Sequence, residues 1–318
     1  MQKILTIDCE YNETPLMAAA YLMVEGDQAA FIDNNTTLAV PTLLKALSEE
    51  GLTPEQVTYL IITHVHLDHA GGTSALLKAC PNATVLAHPR AARHVIDPSR
   101  LVASAQSVYG VDAFEKLYGV IEPVPEARVR EMEDGEVLTF GNRTLTFIYT
   151  RGHANHHFCI HDSASNSVFT GDAFGVHYPA LQSAGPFGFP STSPTDFDGP
   201  LAIEAIARLR DLKPDCVYPT HFGPIGDVAQ RSAQLITHLE FAEALLHEAI
   251  ASDAADADLE SFIRNRSDVY FQQVLDQAGV EDNKPYWDLM AMDLDLNAQG
   301  LAFVANKRRR KAREAAAT

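Results

Sequence analysis

The sequence predicts an α+β protein: two β-sheets covered by helices, with a helical extension at the C-terminal end. Three observations carry this. Short β-branched and apolar runs alternate with helical patterns through the first third of the chain. A second group of strand-like runs lies between Arg128 and Phe174. From Val228 onward the patterning is mostly helical. Strands and helices in this order favour two sheets with helical covers. The 318 residues, 46% hydrophobic and 21% charged, are enough for a sizeable core in one large domain with an appendage.

Each element follows from its local pattern. "AAAYLMV" (18–24) and "QAAFID" (28–33) read as hairpin strands around the turn signal "EGD". "TLAVPTLLKALSEEG" reads as a helix closed by Gly51. "QVTYLIIT" has the composition of a buried strand. "TSALLKA" is a helix and "ATVLAH" the next strand. From Pro89 to Gly119 the pattern is helical and long for a connection, as a lid would be. "RVREM", "EVLTF", "TLTFIY", "FCIHD" and "SVFTGDAF" return to strands. Gly175 to Pro200, rich in Pro, Gly and Ser, reads as a long ordered loop, and such loops are usually functional. "GPLAIEAIARLRDL" is a helix and "DCVYPT" a strand. These readings divide the chain into a catalytic domain, 1–226, and a helical extension, 227–318, that packs on it, caps its site or forms an oligomer surface.

Charge and cysteine usage exclude several classes. The net charge is −18. The basic run "KRRRKAR" at Lys307 to Arg313 reads as a helix end, so the rest of the chain is more acidic still. An acidic body repels phosphate backbones, which argues against nucleic acid as a partner. Cys9, Cys80, Cys159 and Cys216 are far apart and without a CxxC, as reduced or buried thiols are. No apolar run reaches about 18 residues and "MQKILTIDCEYNETP" lacks signal-peptide character, so a cytoplasmic protein without membrane contact is expected.

The chemistry concentrates in "LIITHVHLDHAGG". His64, His66, Asp68 and His69 are four potential metal ligands within six positions. In an extended segment His64 and His66 point to one side. Gly71 and Gly72 allow the tight geometry that turns Asp68 and His69 toward the same space. One tetrahedral ion cannot easily use all four, whereas two ions ~3.5–4 Å apart can share them. Partner ligands belong at other strand ends, and His153 in "TRGH", Asp172 in "TGDAFG" and His221 in "PTHFGP" meet that test. Imidazole and carboxylate ligands without thiolate suit zinc, and also iron or manganese.

"HVHLDH", "GH", "GD" and "THFG", in this order, resemble the motifs of the metallo-beta-lactamase superfamily over roughly residues 1–226. The resemblance implies a four-layer αβ/βα sandwich with a dinuclear metal site, two Zn or alternatively Fe or Mn. It implies that His64, His66 and His153 hold the first metal. Asp68, His69 and His221 would hold the second, and Asp172 would bridge them. A hydroxide shared by the metals would attack the acyl carbonyl of a small-molecule ester, thioester or lactone. Asp68 or a water would protonate the leaving group, which makes Asp68 and Asp172 the catalytic carboxylates.

Further candidates surround this set. His157 is an outer partner for a ligand or a substrate contact, and His88 ends a strand near the cleft. Tyr178 and Phe187 lie on the long loop, where they would meet substrate. Lactonases of the superfamily place a tyrosine sooner after the bridging aspartate, at a position that is Gly175 here. The basic residues that bind glutathione in glyoxalase II-like relatives have no clear counterpart, Arg264 and Arg266 being the nearest. Persulfide-oxidising iron enzymes keep the same HxHxDH motif and stand as the alternative, as does a metal-containing regulatory protein of low turnover. The apolar stretch around Trp287 suits a homodimer surface.

Overall fold

A computed structural model of the chain describes residues 2–192 and 197–316. Residues 193–196, within the loop expected from Gly175 to Pro200, lie outside the described residues. The chain forms two compact units. The first comprises Met1–Thr150, Asn155–Asp172 and Lys213–Val228; the second comprises Arg151–Ala154, Ala173–Leu212 and Ala229–Thr318. Residues 151–154 and 173–212, grouped with 1–226 from the sequence, thus fall in the second unit.

The first unit holds two sheets. One runs in the order β1 (Gln2–Asp8), β2 (Ala19–Glu25), β3 (Gln28–Ile32), β4 (Val57–Ile61), β5 (Thr84–Ala87), β6 (Val129–Glu131). Its first three strands are antiparallel, and β3 through β6 are parallel. The other holds β7 (Val137–Phe140), β8 (Arg143–Tyr149), β9 (Phe158–Asp162), β10 (Ser167–Gly171) and β11 (Cys216–Pro219) in reverse spatial order. Only β10 and β11 pair in parallel there. The crossovers carry α1 (Val40–Glu49), α2 (Leu67–Ala70), α3 (Thr73–Ala79), α4 (Pro89–Ile96), α5 (Ser99–Tyr109) and α6 (Val111–Tyr118).

Strand periodicity sorts the core into two layers. Leu22, Val24, Phe31, Leu60 and Val85 face α1, α3 and α4 through Leu43, Leu47, Leu76 and Val95. Their neighbours Tyr21, Met23, Ile32, Ile61 and Leu86 face the other sheet through Phe140, Phe147, Phe158 and Phe169. β3, β4 and β5 are covered on both faces, which is why they read as continuous apolar runs rather than alternating ones. β1 was not anticipated. It is an edge strand whose Lys3 and Thr6 are exposed, so it lacks the apolar density of the others.

The second unit holds α7 (Gly199–Asp211), α8 (Val228–Ala251), α9 (Leu259–Gln277) and α10 (Lys284–Ala316). α9 buries Leu259, Ile263, Phe271 and Leu275, and α10 buries Tyr286, Met290, Leu294, Ala298 and Leu301, in each case one stripe at helical spacing. The loop that follows Asp172 is clamped by two of these helices. Gln234 of α8 binds Gly188 N and Pro186 O, and Asn297 of α10 binds Thr192 N and Pro190 O. The basic run at the C-terminal end belongs to α10. Arg309 there donates to Ile250 O near the end of α8 and to Ser252 O just beyond it. No helix of the described residues is long and apolar enough to cross a membrane.

Candidate metal centre

In open α/β sheets, ligand sites form beyond the carboxyl ends of the parallel strands. Asp33 follows β3, the HVHLDH segment follows β4, and His88 follows β5. Asp172 follows β10 and His221 follows β11. The sequence places chemistry-bearing side chains at the ends of three neighbouring strands of one sheet and two of the other in the first unit.

His64 and His66 lie on extended chain, and their Nε2 and Nδ1 atoms come within 2.8 Å. His66 then caps α2, a single turn that carries Asp68 and His69. The two glycines that follow have ordinary right-handed backbone. Their role is close approach, not unusual dihedrals. A Cβ on Gly71 would lie 2.4 Å from Leu67 O, and one on Gly72 would lie 2.7 Å from the carbonyls of Asn34 and Thr36. Asn34 N and Asn35 Nδ2 in turn bind His69 O and Asp68 O, which locks the metal turn against the end of β3. Leu67, between the ligand candidates, packs on Phe114 and Tyr118 of α6. The 89–119 insertion therefore supports this turn.

Two trios of ligand atoms share His69. In each of them, His64 with His69 and Asp172, and Asp68 with His69 and His221, the atoms lie within 4.8 Å of one another. His69 Nε2 is 3.2 Å from Asp172 Oδ1 and 3.7 Å from Asp68 Oδ2. His221 Nε2 is 3.3 Å from Asp68 Oδ2 and 3.6 Å from Asp172 Oδ1. Six of the seven ligands expected from the sequence thus meet in the first unit. The seventh, His153, stands on the Arg151–Ala154 segment of the second unit, where its Nδ1 pairs with Ser191 O at 3.2 Å.

The electrostatics fit cations. Burial works against charge on His69, but Asp172, Asp68 and Asp33 hold its imidazole well above the usual range. Burial likewise opposes charge on His221, and Asp172 and Asp68 still raise it to about 9. Burial would raise Asp68, yet His69 and His221 pull its carboxyl well below the usual carboxylate range. Such carboxylates demand positive charge among them, supplied by protons on the imidazoles or by metal ions in their place. His69 Nε2 is buried without a hydrogen-bond partner, as an atom meant for a metal is.

Outer partners fix which nitrogen faces the centre. Asp33 Oδ2 binds His69 Nδ1 at 2.9 Å, and the Met17 carbonyl binds His221 Nδ1 at 2.7 Å. Both imidazoles therefore present Nε2. Asp33 also accepts from Thr63 N, Thr63 Oγ1 and Thr220 Oγ1. Sequence reasoning missed Asp33, although a carboxylate ending the strand "QAAFID" was the available signal.

His157 is fully buried between Thr150 Oγ1, 2.8 Å from its Nδ1, and the Asp172 amide, which donates to its Nε2 at 3.3 Å. This is the geometry of an outer partner that sets the position of Asp172. Gly171 must be glycine beside it: φ is +48°, and a Cβ would lie 2.6 Å from both His157 Nε2 and Thr63 Oγ1. His88 caps α4 by accepting from Arg90 N at 3.0 Å, burial and Arg90 push it down to about 4, and it belongs to neither trio. In the second unit Tyr178 is buried, and its hydroxyl donates to Asp293 at 3.1 Å. Phe187 meets Tyr286 edge-on, with ring centres 5.8 Å apart.

Comparisons with known proteins agree with this architecture. The metallo-beta-lactamase fold-containing protein ST1585 of Sulfurisphaera tokodaii is 28% identical over 172 residues, 53% of this chain and 62% of its own. The lactamase-like protein aptB of Emericella nidulans is 23% identical over 70% of this chain and 56% of its own length. The matches thus span less than two thirds of these curated relatives. Among solved structures, ST1585 from Sulfolobus tokodaii superposes with a TM-score of 0.65 at 21% identity, over 95% of this chain and 98% of that one. TTHA1429 from Thermus thermophilus, a metallo-beta-lactamase family protein, does so at 0.63 and 20%, over 98% and 94%. At these identities the structures speak for the fold alone. The family model of the metallo-beta-lactamase superfamily matches residues 14–221, from before the HVHLDH turn to His221, and the chain belongs to that superfamily.

Proposed function

We propose that this protein is a dinuclear metal-dependent hydrolase of a small ester, thioester or lactone. The observation that carries the reading is the pair of ligand trios joined at His69, with Asp172 Oδ1 within 3.6 Å of both His69 and His221. His64, His66 and His153 would hold one metal, Asp68, His69 and His221 the other, and Asp172 would serve both. Bound metals of this kind lower the pKa of a shared water and polarise a carbonyl oxygen. The chain's own residues do the rest. Asp33 and the Met17 carbonyl hold two imidazoles with Nε2 forward. His157 and Gly171 hold Asp172 in place. The Asp68 side chain, a quarter exposed, is the carboxylate placed to pass a proton to a departing group.

The donor set suits zinc first, with iron or manganese as its competitors. Purified protein is expected to contain zinc and to turn over acyl substrates in a screen of thioesters, lactones, aryl esters, β-lactams and phosphodiesters. His66→Ala or Asp172→Ala should abolish that turnover. Phosphodiester cleavage without any acyl hydrolysis would overturn the proposal, and redox-active iron with no hydrolysis would favour an oxidoreductase.

A further inference from the structure

The second unit contains a cavity of about 440 Å³ between the loop after Asp172 and helices α8, α9 and α10. That is the size of a small-molecule site. Leu181, Phe187, Val274 and Tyr286 supply its apolar and aromatic surface, and Gln273 and Gln277 add amides at its exposed rim. None of the lining residues carries a formal charge, although the chain's net charge is −18. None is one of the seven ligand candidates.

Most polar groups in the walls are already engaged. Gln234 spends its amide on Gly188 N and Pro186 O, and the Tyr286 hydroxyl lies 2.8 Å from Ser183 Oγ. His238 is different. Its Nδ1 lies 2.7 Å from the Tyr270 hydroxyl. A phenol is the stronger donor and an imidazole nitrogen the stronger acceptor, so Tyr270 donates and the ring proton sits on Nε2. That Nε2 is buried and has no hydrogen-bond partner. Burial pushes the imidazole down to about 4, so at neutral pH the ring is uncharged and Nε2–H is a buried donor left over in a lining residue.

From the cavity, its uncharged walls of aromatic and amide side chains and the unspent donor of His238, we propose that the second unit binds an uncharged small molecule that carries an apolar ring system and a hydrogen-bond acceptor. Anionic ligands such as nucleotides and carboxylates find no countercharge there. Such a ligand would rest on the 181–187 segment, part of the loop that begins after Asp172, and so would hold it in place.

Fluorescence titration with the neutral ketone probe 6-propionyl-2-dimethylaminonaphthalene tests this on the full chain. One saturable site per chain with a blue-shifted emission is expected. Val274→Trp, which fills the cavity, should weaken binding about tenfold or more, and Gln277→Trp is a second filling variant should the first fail to fold. His238→Phe should weaken the ketone by about fivefold, yet leave 2-dimethylaminonaphthalene, which lacks the carbonyl, unaffected. Non-saturable binding, or equal binding by both filling variants and wild type, would refute the site. Equal loss of both probes in His238→Phe would refute the role of the donor. Chelation of metal should leave probe binding intact, so this test stands apart from that of hydrolysis.

Discussion

Asp33 gathers four donors, the Thr63 amide, the hydroxyls of Thr63 and Thr220, and His69 Nδ1, on one buried carboxylate. Asn at this position would keep the volume but turn an amide NH₂ toward groups that need an acceptor. His69 would lose the partner that fixes its tautomer. Asp33→Asn is therefore expected to lower metal affinity or activity about 10- to 100-fold. Competition against a zinc chelator measures this, with far-UV circular dichroism to show an intact fold. Unchanged affinity would reduce Asp33 to a structural role. The contrast with His64, His66, Asp68 and His69 explains what was legible. Those four announce themselves because ligating types crowd into one turn. Asp33 is a lone carboxylate far away in sequence, and only the pairing of β3 with β4 brings it to His69. Gly71 and Gly72 were recognisable as necessary, but the reason for Gly72, the carbonyls of Asn34 and Thr36 pressing on it, is tertiary and could not be read from the chain.

At the scale of elements, the two sheets of the first unit are joined by a buried ionic cluster. Arg143, at the start of β8, bonds Glu25 at the end of β2 at 3.1 Å and also bonds Asp162 at the end of β9. The Asn142 amide adds a further bond to Glu25. All three ionic residues are buried. Removing one partner strands the others without water. Arg143→Met is expected to cost about 3–5 kcal/mol, read as a lowered urea midpoint with an unchanged slope. A loss under about 1 kcal/mol would mean that the pocket rehydrates or relaxes. Nothing in the sequence marks these residues, since an Arg in "NRTLTF" and a Glu before "GDQ" read as ordinary turn charges. The strands themselves were legible, because β3, β4, β8 and β10 must be apolar to be covered on both sides or to face the other sheet. β1 was not, because an edge strand with one exposed face needs fewer apolar residues.

Over the whole molecule, the chain visits the second unit twice before its C-terminal helices, at 151–154 and 173–212. The patterning turns helical from Val228 onward, whereas Gly175 to Pro200 reads as a loop within the strand region, so a reading from sequence divides the chain near 227 alone. The second unit also has its own pH dependence. His177 and His238 are buried there, and burial pushes both imidazoles down to about 4, with Arg231 adding to the effect on His177. In the unfolded chain both return to an ordinary value near 6.5. Above that pH neither state holds the proton, and the two histidines contribute nothing to pH dependence. Between about 6.5 and 4 the unfolded chain binds protons that the folded unit refuses, so stability falls as the pH drops. Each group accounts for up to about 3 kcal/mol across that window. Urea unfolding at pH 7, 5.5 and 4.5 should show this loss in the wild type, and His238→Phe should show a smaller one because it deletes one of the two proton sites. An identical decline in the variant would mean that His238 is protonated in the folded unit, through local opening or access of water to Nε2.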